Sequence, residues 1–263
     1  MLAETADRVG LTPALSGALA GVRERRGKHD PGRVICDLAV MLADGGDCLS
    51  DLRAVRDQEP LFGPVASDTT AFRLTERIAG DPGLLEALRG ARARARARAW
   101  ELGARPQRIV IDVDATLIRA HTEKEGAAVN FKGGFGFHPL LAYLDESREA
   151  LAATLRPGNA PAHSAADQID VLVEALEQIP REVVADLDTQ IVLRADSAGA
   201  AVELCHAARD ANINYLVGFD LTKQVRRAIL SLPEDRWRPA LRQDGPGARW
   251  GAGGRDHRRA RVL

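Results

Sequence analysis

The first hundred residues carry apolar side chains at the three- and four-residue spacing that places them on one face of a helix. Residues that can accept the free amides of a first helical turn precede three such segments, at Asp30-Pro31, Ser67-Asp68 and Asp81-Pro82. Residues 1–105 are therefore predicted to form a helical region. Its short helices, joined by tight turns, fit either a DNA-reading helix-turn-helix or a plain packing domain.

The end of this region alternates alanine with arginine, at Arg92, Arg94, Arg96 and Arg98. On a helix these arginines spread over most of the circumference, so they form no amphipathic stripe. The run predicts a solvated helix, and an arm that contacts DNA phosphates is the alternative.

From residue 106 the pattern changes to short apolar runs. Residues 108–114 form a β-branched run after Pro106, which predicts a buried strand. A segment rich in glycine and aromatic residues leads into residues 139–144, and 149–156 is another candidate strand. These segments follow one another too closely for crossover helices, so they predict an antiparallel meander.

Helical spacing returns at 164–179, and two further strands, 189–194 and 213–219, flank a helix that ends near Asp210. The order β-β-β-α-β-α-β is characteristic of an RNase H-like fold, a mixed α/β class with an antiparallel start and an alternating α/β end. We accordingly expect a helical region over 1–105, an RNase H-like domain over 106–221, and a third segment over 222–263.

Three acidic residues fall where such a sheet would bring them together. Asp112 and Asp114 alternate along the first strand, so their side chains point to the same face. Asp196 comes directly after the fourth strand, which lies beside the first in this fold. Converging carboxylates with no neutralising lysine repel one another unless a cation intervenes, and their oxygens favour Mg²⁺ or Mn²⁺. Two such ions support in-line phosphoryl displacement.

Several segments resemble bacterial insertion-sequence transposases of the DDE type, the family called transposase DDE domain, group 1. The segments are 43–53, 114–117, 131–140 and 193–197, and the resemblance covers about residues 34–240. It implies an enzyme that hydrolyses a phosphodiester at the transposon end and directs the freed 3′-hydroxyl at target DNA, without a covalent protein intermediate. It also implies action as a dimer on paired ends.

By this resemblance Asp114 is the first metal-binding acid and Asp196 the second, with Asp112 a less certain helper. The family's third acid is a Glu on a later helix, after a β-rich insertion. Residues 223–237 resemble the approach to that insertion, but Glu234 precedes it and no later Glu follows. We therefore expect a truncated, catalytically incomplete transposase that neither cleaves nor joins DNA ends.

Two other functions compete with this interpretation. Residues 109–117 also resemble the first motif of haloacid-dehalogenase-like phosphatases, in which Asp112 would be the nucleophile and Asp114 the general acid/base beside Mg²⁺. About 105 residues precede the motif, however, and that fold needs parallel strands where a meander is predicted. The third possibility is a non-catalytic DNA-binding remnant.

Composition narrows the class of protein. With 45% apolar and 28% charged residues among 263, the chain can bury a core, which excludes disorder as its overall state. No run of about 18 uncharged apolar residues is present, which excludes a membrane span, and the start lacks a signal-peptide pattern, so a cytoplasmic location is expected. The three cysteines form no CxxC pair and suggest neither a zinc site nor a disulfide framework.

Charge is distributed unevenly. Residues 236–263 carry a net charge of +6, and residues 1–235 a net charge of −7. The acidic body is no general polyanion binder, so any DNA contact requires a local basic face. Of residues 240–263, 15 are Arg, Gly or Ala, which predicts a disordered tail that arose by frameshift rather than a DNA-binding arm.

Overall fold

Two units of tertiary structure, Met1–Gly218 and Phe219–Leu263, make up the chain in a computed structural model. The structure describes residues 1–22, 27–121, 123–197, 201–236, 238–239 and 261–262. The first unit holds both the N-terminal helices and the central sheet.

The helices of the first unit fall into an N-terminal group and a group that accompanies the sheet. The N-terminal group is α1 (Leu2–Arg8), α2 (Leu11–Ala18), α3 (Pro31–Ala43), α4 (Leu52–Arg56), α5 (Glu59–Phe62), α6 (Asp68–Ala79) and α7 (Pro82–Ala99). The second group is α8 (Ala165–Glu177), α9 (Arg181–Ala185) and α10 (Val202–Asp210).

The strands of the first unit form two sheets. They are β1 (Ile109–Ala115), β2 (Ile118–Arg119), β3 (Ala128–Val129), β4 (Phe135–Phe137), β5 (Leu140–Leu144), β6 (Ala150–Thr154), β7 (Ile191–Ala195) and β8 (Asn214–Val217). The central sheet has the order β6-β5-β1-β7-β8, and the small one has the order β2-β4-β3.

Helix starts in the N-terminal region follow the predicted caps. The side chain of Asp30 accepts the amide of Arg33 at the start of α3, Ser67 accepts the amide of Thr70 at α6, and Asp81 caps α7. Each cap satisfies an amide that the first helical turn leaves without a partner. The apolar faces of these helices meet in a core of their own, which includes Leu38, Leu52 and Leu74.

The five strands of the central sheet lie where the sequence predicts them, with the expected antiparallel start and the fourth predicted strand beside the first. β1 pairs antiparallel with β5, and β5 pairs antiparallel with β6, whereas β1 with β7 and β7 with β8 are parallel. This is the arrangement of an RNase H-like sheet, and the mixed α/β prediction is confirmed. The small sheet is an addition that periodicity did not predict.

One face of the central sheet is buried. Ile109, Ile111 and Val113 alternate along β1 and are at most 4% exposed, in a core shared with α8 and α10. The intervening residues, which include Asp112 and Asp114, therefore lie on the opposite face.

The arginine run of α7 is partly structural. Arg94 and Arg98 are exposed, as predicted, but Arg96 is only 4% exposed, and for that residue the prediction of a solvated face is wrong. Arg96 forms an ion pair of 2.7 Å with Glu149 and donates to the carbonyl of Gln178 at 2.9 Å. Arg92 donates to the carbonyl of Ala150 at 2.7 Å. These arginines attach α7 to the edge of the central sheet, because each satisfies a carbonyl or carboxylate there.

The glycine- and aromatic-rich segment builds the small sheet. The side chain of Asn130 accepts the amides of Lys132 and Gly134, which fixes the turn between β3 and β4. Gly136 has a φ of +151°, and a Cβ there would lie 2.0 Å from the carbonyl oxygen of Ile118. His138 is buried and its Nδ1 lies 2.8 Å from the carbonyl oxygen of Ala160. In this chain the segment thus has a structural role.

The second unit contains α11 (Lys223–Leu230) and a two-stranded pairing of β9 (Arg238–Pro239) with β10 (Arg261–Val262). The rest of the segment predicted to be a disordered tail lies outside the described residues. Within the part of the chain that the structure describes, no helix combines the length and apolarity needed to cross a bilayer.

Candidate functional site

Asp114 and Asp196 occupy neighbouring positions at the ends of two parallel strands. The β1–β7 register ends with Val113 opposite Ala195, so the next residue after each of these is one of the two acids. Both residues are exposed. Neighbouring strands lie about 4.8 Å apart, which brings the two carboxylates within reach of a common ligand. The strand register therefore places the backbones of Asp114 and Asp196 side by side.

The Asp114 side chain accepts a hydrogen bond from the next backbone amide. Its Oδ1 accepts the amide of Ala115 at 2.8 Å, and the residue faces solvent at the end of the sheet's open face. Opposite it in the antiparallel register lies Leu141 of β5, so no second acid approaches from that strand.

Asp112 lies on the same face as Asp114, but an arginine occupies both of its oxygens. Arg194 of β7 donates from Nε to Oδ1 at 2.5 Å and from Nη2 to Oδ2 at 2.6 Å. Nη2 also donates to Asp145 at 2.6 Å. Asp112 and Arg194 are partners in the β1–β7 register. This position allows the planar guanidinium group to donate two hydrogen bonds to the two carboxylate oxygens.

The hydrogen bonds to Asp112, followed by those to Asp145, raise the pKa of the Arg194 guanidinium above its usual range. Arg194 therefore stays protonated, and its charge offsets part of the repulsion among the acids. Arg194 was not predicted from the sequence, where only lysine was considered as a neutralising residue. The signal was present, since Arg194 precedes Asp196 by two residues and shares its side of the strand.

A cavity of about 400 Å³ opens beside Asp112, Asp114 and Asp145. It is lined by residues of β1, β5 and the turn that follows β5, among them Asp112, Asp114, Thr116, Tyr143 and Arg148. Arg148 adopts a left-handed φ of 55° in that turn. The sequence argument did not single out Asp145 or Arg148, because their approach to β1 depends on the β5 register.

The donor chemistry of the strand ends fits a divalent metal. Asp114 and Asp196 are exposed residues whose carboxylate groups are of the ligand type that Mg²⁺ and Mn²⁺ prefer. Both oxygens of Asp112 accept hydrogen bonds from Arg194. Among the described residues, no group of three or more His, Cys, Asp or Glu side chains is placed to hold a metal ion.

Comparison with known proteins extends these observations. The family model described as Transposase DDE domain group 1 matches residues 1–254. No curated protein matches the chain.

Solved structures similar to this chain include three assemblies or domains. One is a simian T-cell lymphotropic virus intasome in complex with PP2A regulatory subunit B56 gamma, with 15% identity over 54% of this chain and 52% of that one and a TM-score of 0.28. Another is the catalytic domain of Mos1 mariner transposase, with 9% identity over 55% and 71% and a TM-score of 0.31. The third is a piggyBac transposase synaptic complex with hairpin DNA, with 8% identity over 88% and 52% and a TM-score of 0.42. The match thus spans about half the length of the first and third of these proteins.

Proposed function

Because the chain belongs to the transposase DDE domain group 1 family, we propose that it is a DNA transposase, with Asp114 and Asp196 as two of its metal-binding acids. The observation that carries the assignment of these residues is their adjacent position at the ends of β1 and β7. The bacterial insertion-sequence origin, the DNA ends and target as partners, and action as a homodimer belong to the same proposal.

Members of this family generally use divalent metal ions, and Asp114 and Asp196 would hold them here. Two such ions, when bound, supply activation of the attacking oxygen and stabilisation of the leaving oxygen in phosphodiester hydrolysis and strand transfer. The chain's own contribution is to fix the two carboxylates at one end of a rigid sheet. Arg194 contributes indirectly, by joining β7 to Asp112 of β1.

The site can be tested by Mn²⁺ binding followed by electron paramagnetic resonance. We expect Asp114→Asn and Asp196→Asn each to weaken binding by at least tenfold, because each removes a charged ligand. Asp57→Asn is the matched control, since Asp57 is an exposed acid paired with Arg53 away from the sheet. Equal Mn²⁺ affinity in all four proteins would remove these two acids from the proposed site.

Catalysis requires a separate assay. We expect this chain by itself not to nick supercoiled DNA in Mg²⁺ or Mn²⁺, because the sequence offers no third acid in the family's pattern. Nicking by the wild-type chain that Asp114→Asn and Asp196→Asn abolish would show that the catalytic set is complete. Nicking that both variants retain would contradict the assignment of the acids.

The geometry weighs against the phosphatase alternative. β1 has an antiparallel neighbour in β5, where that fold needs parallel strands, and Asp112 is engaged by Arg194 rather than exposed as a nucleophile. Trapping a phosphoaspartate at Asp112 would restore this alternative. A mobility-shift assay distinguishes a non-catalytic DNA-binding remnant from an active transposase. DNA binding without metal-dependent cleavage would support the remnant.

A further inference from the structure

The helical region contains a second cavity, of about 340 Å³, between residues 27–31 and helix α6. Apolar side chains such as Val34 and Leu74 contribute to its lining. The polar part of the lining includes Lys28, His29, Arg73 and Arg77. The cavity shares no described lining residue with the cavity beside Asp112 and Asp114.

The described charged residues that line this cavity are all basic. None of its described lining residues is acidic. Within the described chain, Lys28, Arg73 and Arg77 form no ion pair, and all three are exposed. Exposed cations that no carboxylate neutralises are available to an anionic ligand.

Two acids that adjoin the cavity lining in the sequence have other partners. Asp30 uses its carboxylate to accept the amide of Arg33 and the hydroxyl of Ser16. Asp37 is buried and pairs with Arg33 at 3.0 Å, although it also interacts electrostatically with His29. In the part of the chain that the structure describes, neither acid forms an ion pair with Lys28, Arg73 or Arg77.

The spacing of the cations suits an extended ligand. Arg73 and Arg77 are four residues apart on α6, so they lie on one face of the helix about 6 Å apart along its axis. Lys28 approaches from the loop before α3. Cations on two elements can contact more than one phosphate of a nucleic-acid backbone.

We propose that this basic cavity, with Lys28, Arg73 and Arg77 at its mouth, binds backbone phosphates of duplex DNA. The inference rests on the proposed function, and it supplies the local basic face that a body of net charge −7 requires. Phosphate contacts of this kind position the protein on DNA without selecting its sequence.

The test is fluorescence anisotropy with a labelled 30-base-pair duplex of arbitrary sequence at several salt concentrations, using the full chain. We expect Arg73→Ala and Lys28→Ala each to weaken binding about three- to tenfold and to lower the salt slope by about one, as for loss of one phosphate contact. Arg73→Lys should retain most of the affinity. The matched control is Arg98→Ala, which removes an exposed arginine on α7 that pairs with Glu101.

The arginine-rich residues 236–263 are the same in every variant. Their contribution to DNA affinity is therefore common to all the proteins compared. Equal affinity of wild type, Arg73→Ala and Lys28→Ala would overturn the inference and leave the transposase proposal standing. An equal loss in Arg98→Ala would also overturn it, since any surface charge would then suffice. Absence of duplex binding by the wild type at about 50 mM salt, where phosphate contacts are strong, would overturn both proposals.

Discussion

Arg194 and Asp112 form a two-point ion pair across the parallel strands β7 and β1, with N–O distances of 2.5 and 2.6 Å. The same guanidinium reaches Asp145, directly after β5. One side chain therefore joins three strands beside the ends that carry Asp114 and Asp196. This relationship makes Asp112 a structural partner of the site.

Replacing Arg194 by Gln should lower the free energy of unfolding by about 1 kcal/mol. Hydrogen bonds to charged groups are worth about 1.5–3 kcal/mol, and exposure to solvent reduces this value. The Arg194 side chain is 42% exposed. Urea denaturation measures this loss of stability. Arg194→Lys is expected to recover only part of it, because lysine lacks the planar guanidinium group that donates two parallel hydrogen bonds.

A double-mutant cycle with Asp112→Asn isolates the pair. We expect the two substitutions together to destabilise less than the sum of the single effects, since both remove the same interaction. Strictly additive effects would show that the pair contributes nothing to stability.

Replacing Arg96 by Met should be far more damaging than replacing Arg98 by Ala. Arg96 is 4% exposed and its loss leaves Glu149 and the carbonyl of Gln178 without their donor, at a cost of roughly 3 kcal/mol. Arg98 is exposed, and its loss should cost less than about 0.5 kcal/mol. Urea midpoints that shift equally in the two variants would contradict the docking role of Arg96.

Two glycines of the small sheet should differ in their tolerance of alanine. At Gly136 an added Cβ meets backbone at 2.0 Å, so Gly136→Ala should cost about 3 kcal/mol. Gly133 has a φ of +76° but no atom within 4 Å of an added Cβ, so the cost should be about 1 kcal/mol. Thermal unfolding compares them, and a milder effect at Gly136 would argue against the β2–β4 contact.

The cysteines should differ in their reaction with iodoacetamide. Burial raises the pKa of the Cys36 thiol, which lies 3.5 Å from the hydroxyl of Thr12, so it stays protonated and shielded at pH 8. Cys48 is exposed. Mass spectrometry of the native protein should find Cys48 alkylated first, with Cys36 reacting only after urea is added. Early modification of Cys36 would mean that α3 opens readily.

The local pattern of the sequence was sufficient to predict where three helices begin and in which order the strands of the central sheet follow one another along the chain. Asp30, Ser67 and Asp81 cap the helices that they were expected to begin, because a cap depends only on amides two or three residues away. Alternation likewise placed Asp112 and Asp114 on one face of β1, since that depends on the strand alone.

Tertiary structure decided which charged side chains meet. Arg194 and Asp112 are 82 residues apart in the chain, and so are Arg96 and Gln178. Their pairing depends on strand register and on how a helix packs against a sheet edge, and periodicity carries no information about either. The sequence by itself determined the three capped helices, the strands of the central sheet and the acids at their ends. The tertiary structure decided that Arg194 binds Asp112 and that Arg96 is buried, because only packing fixes distances between residues far apart in the chain.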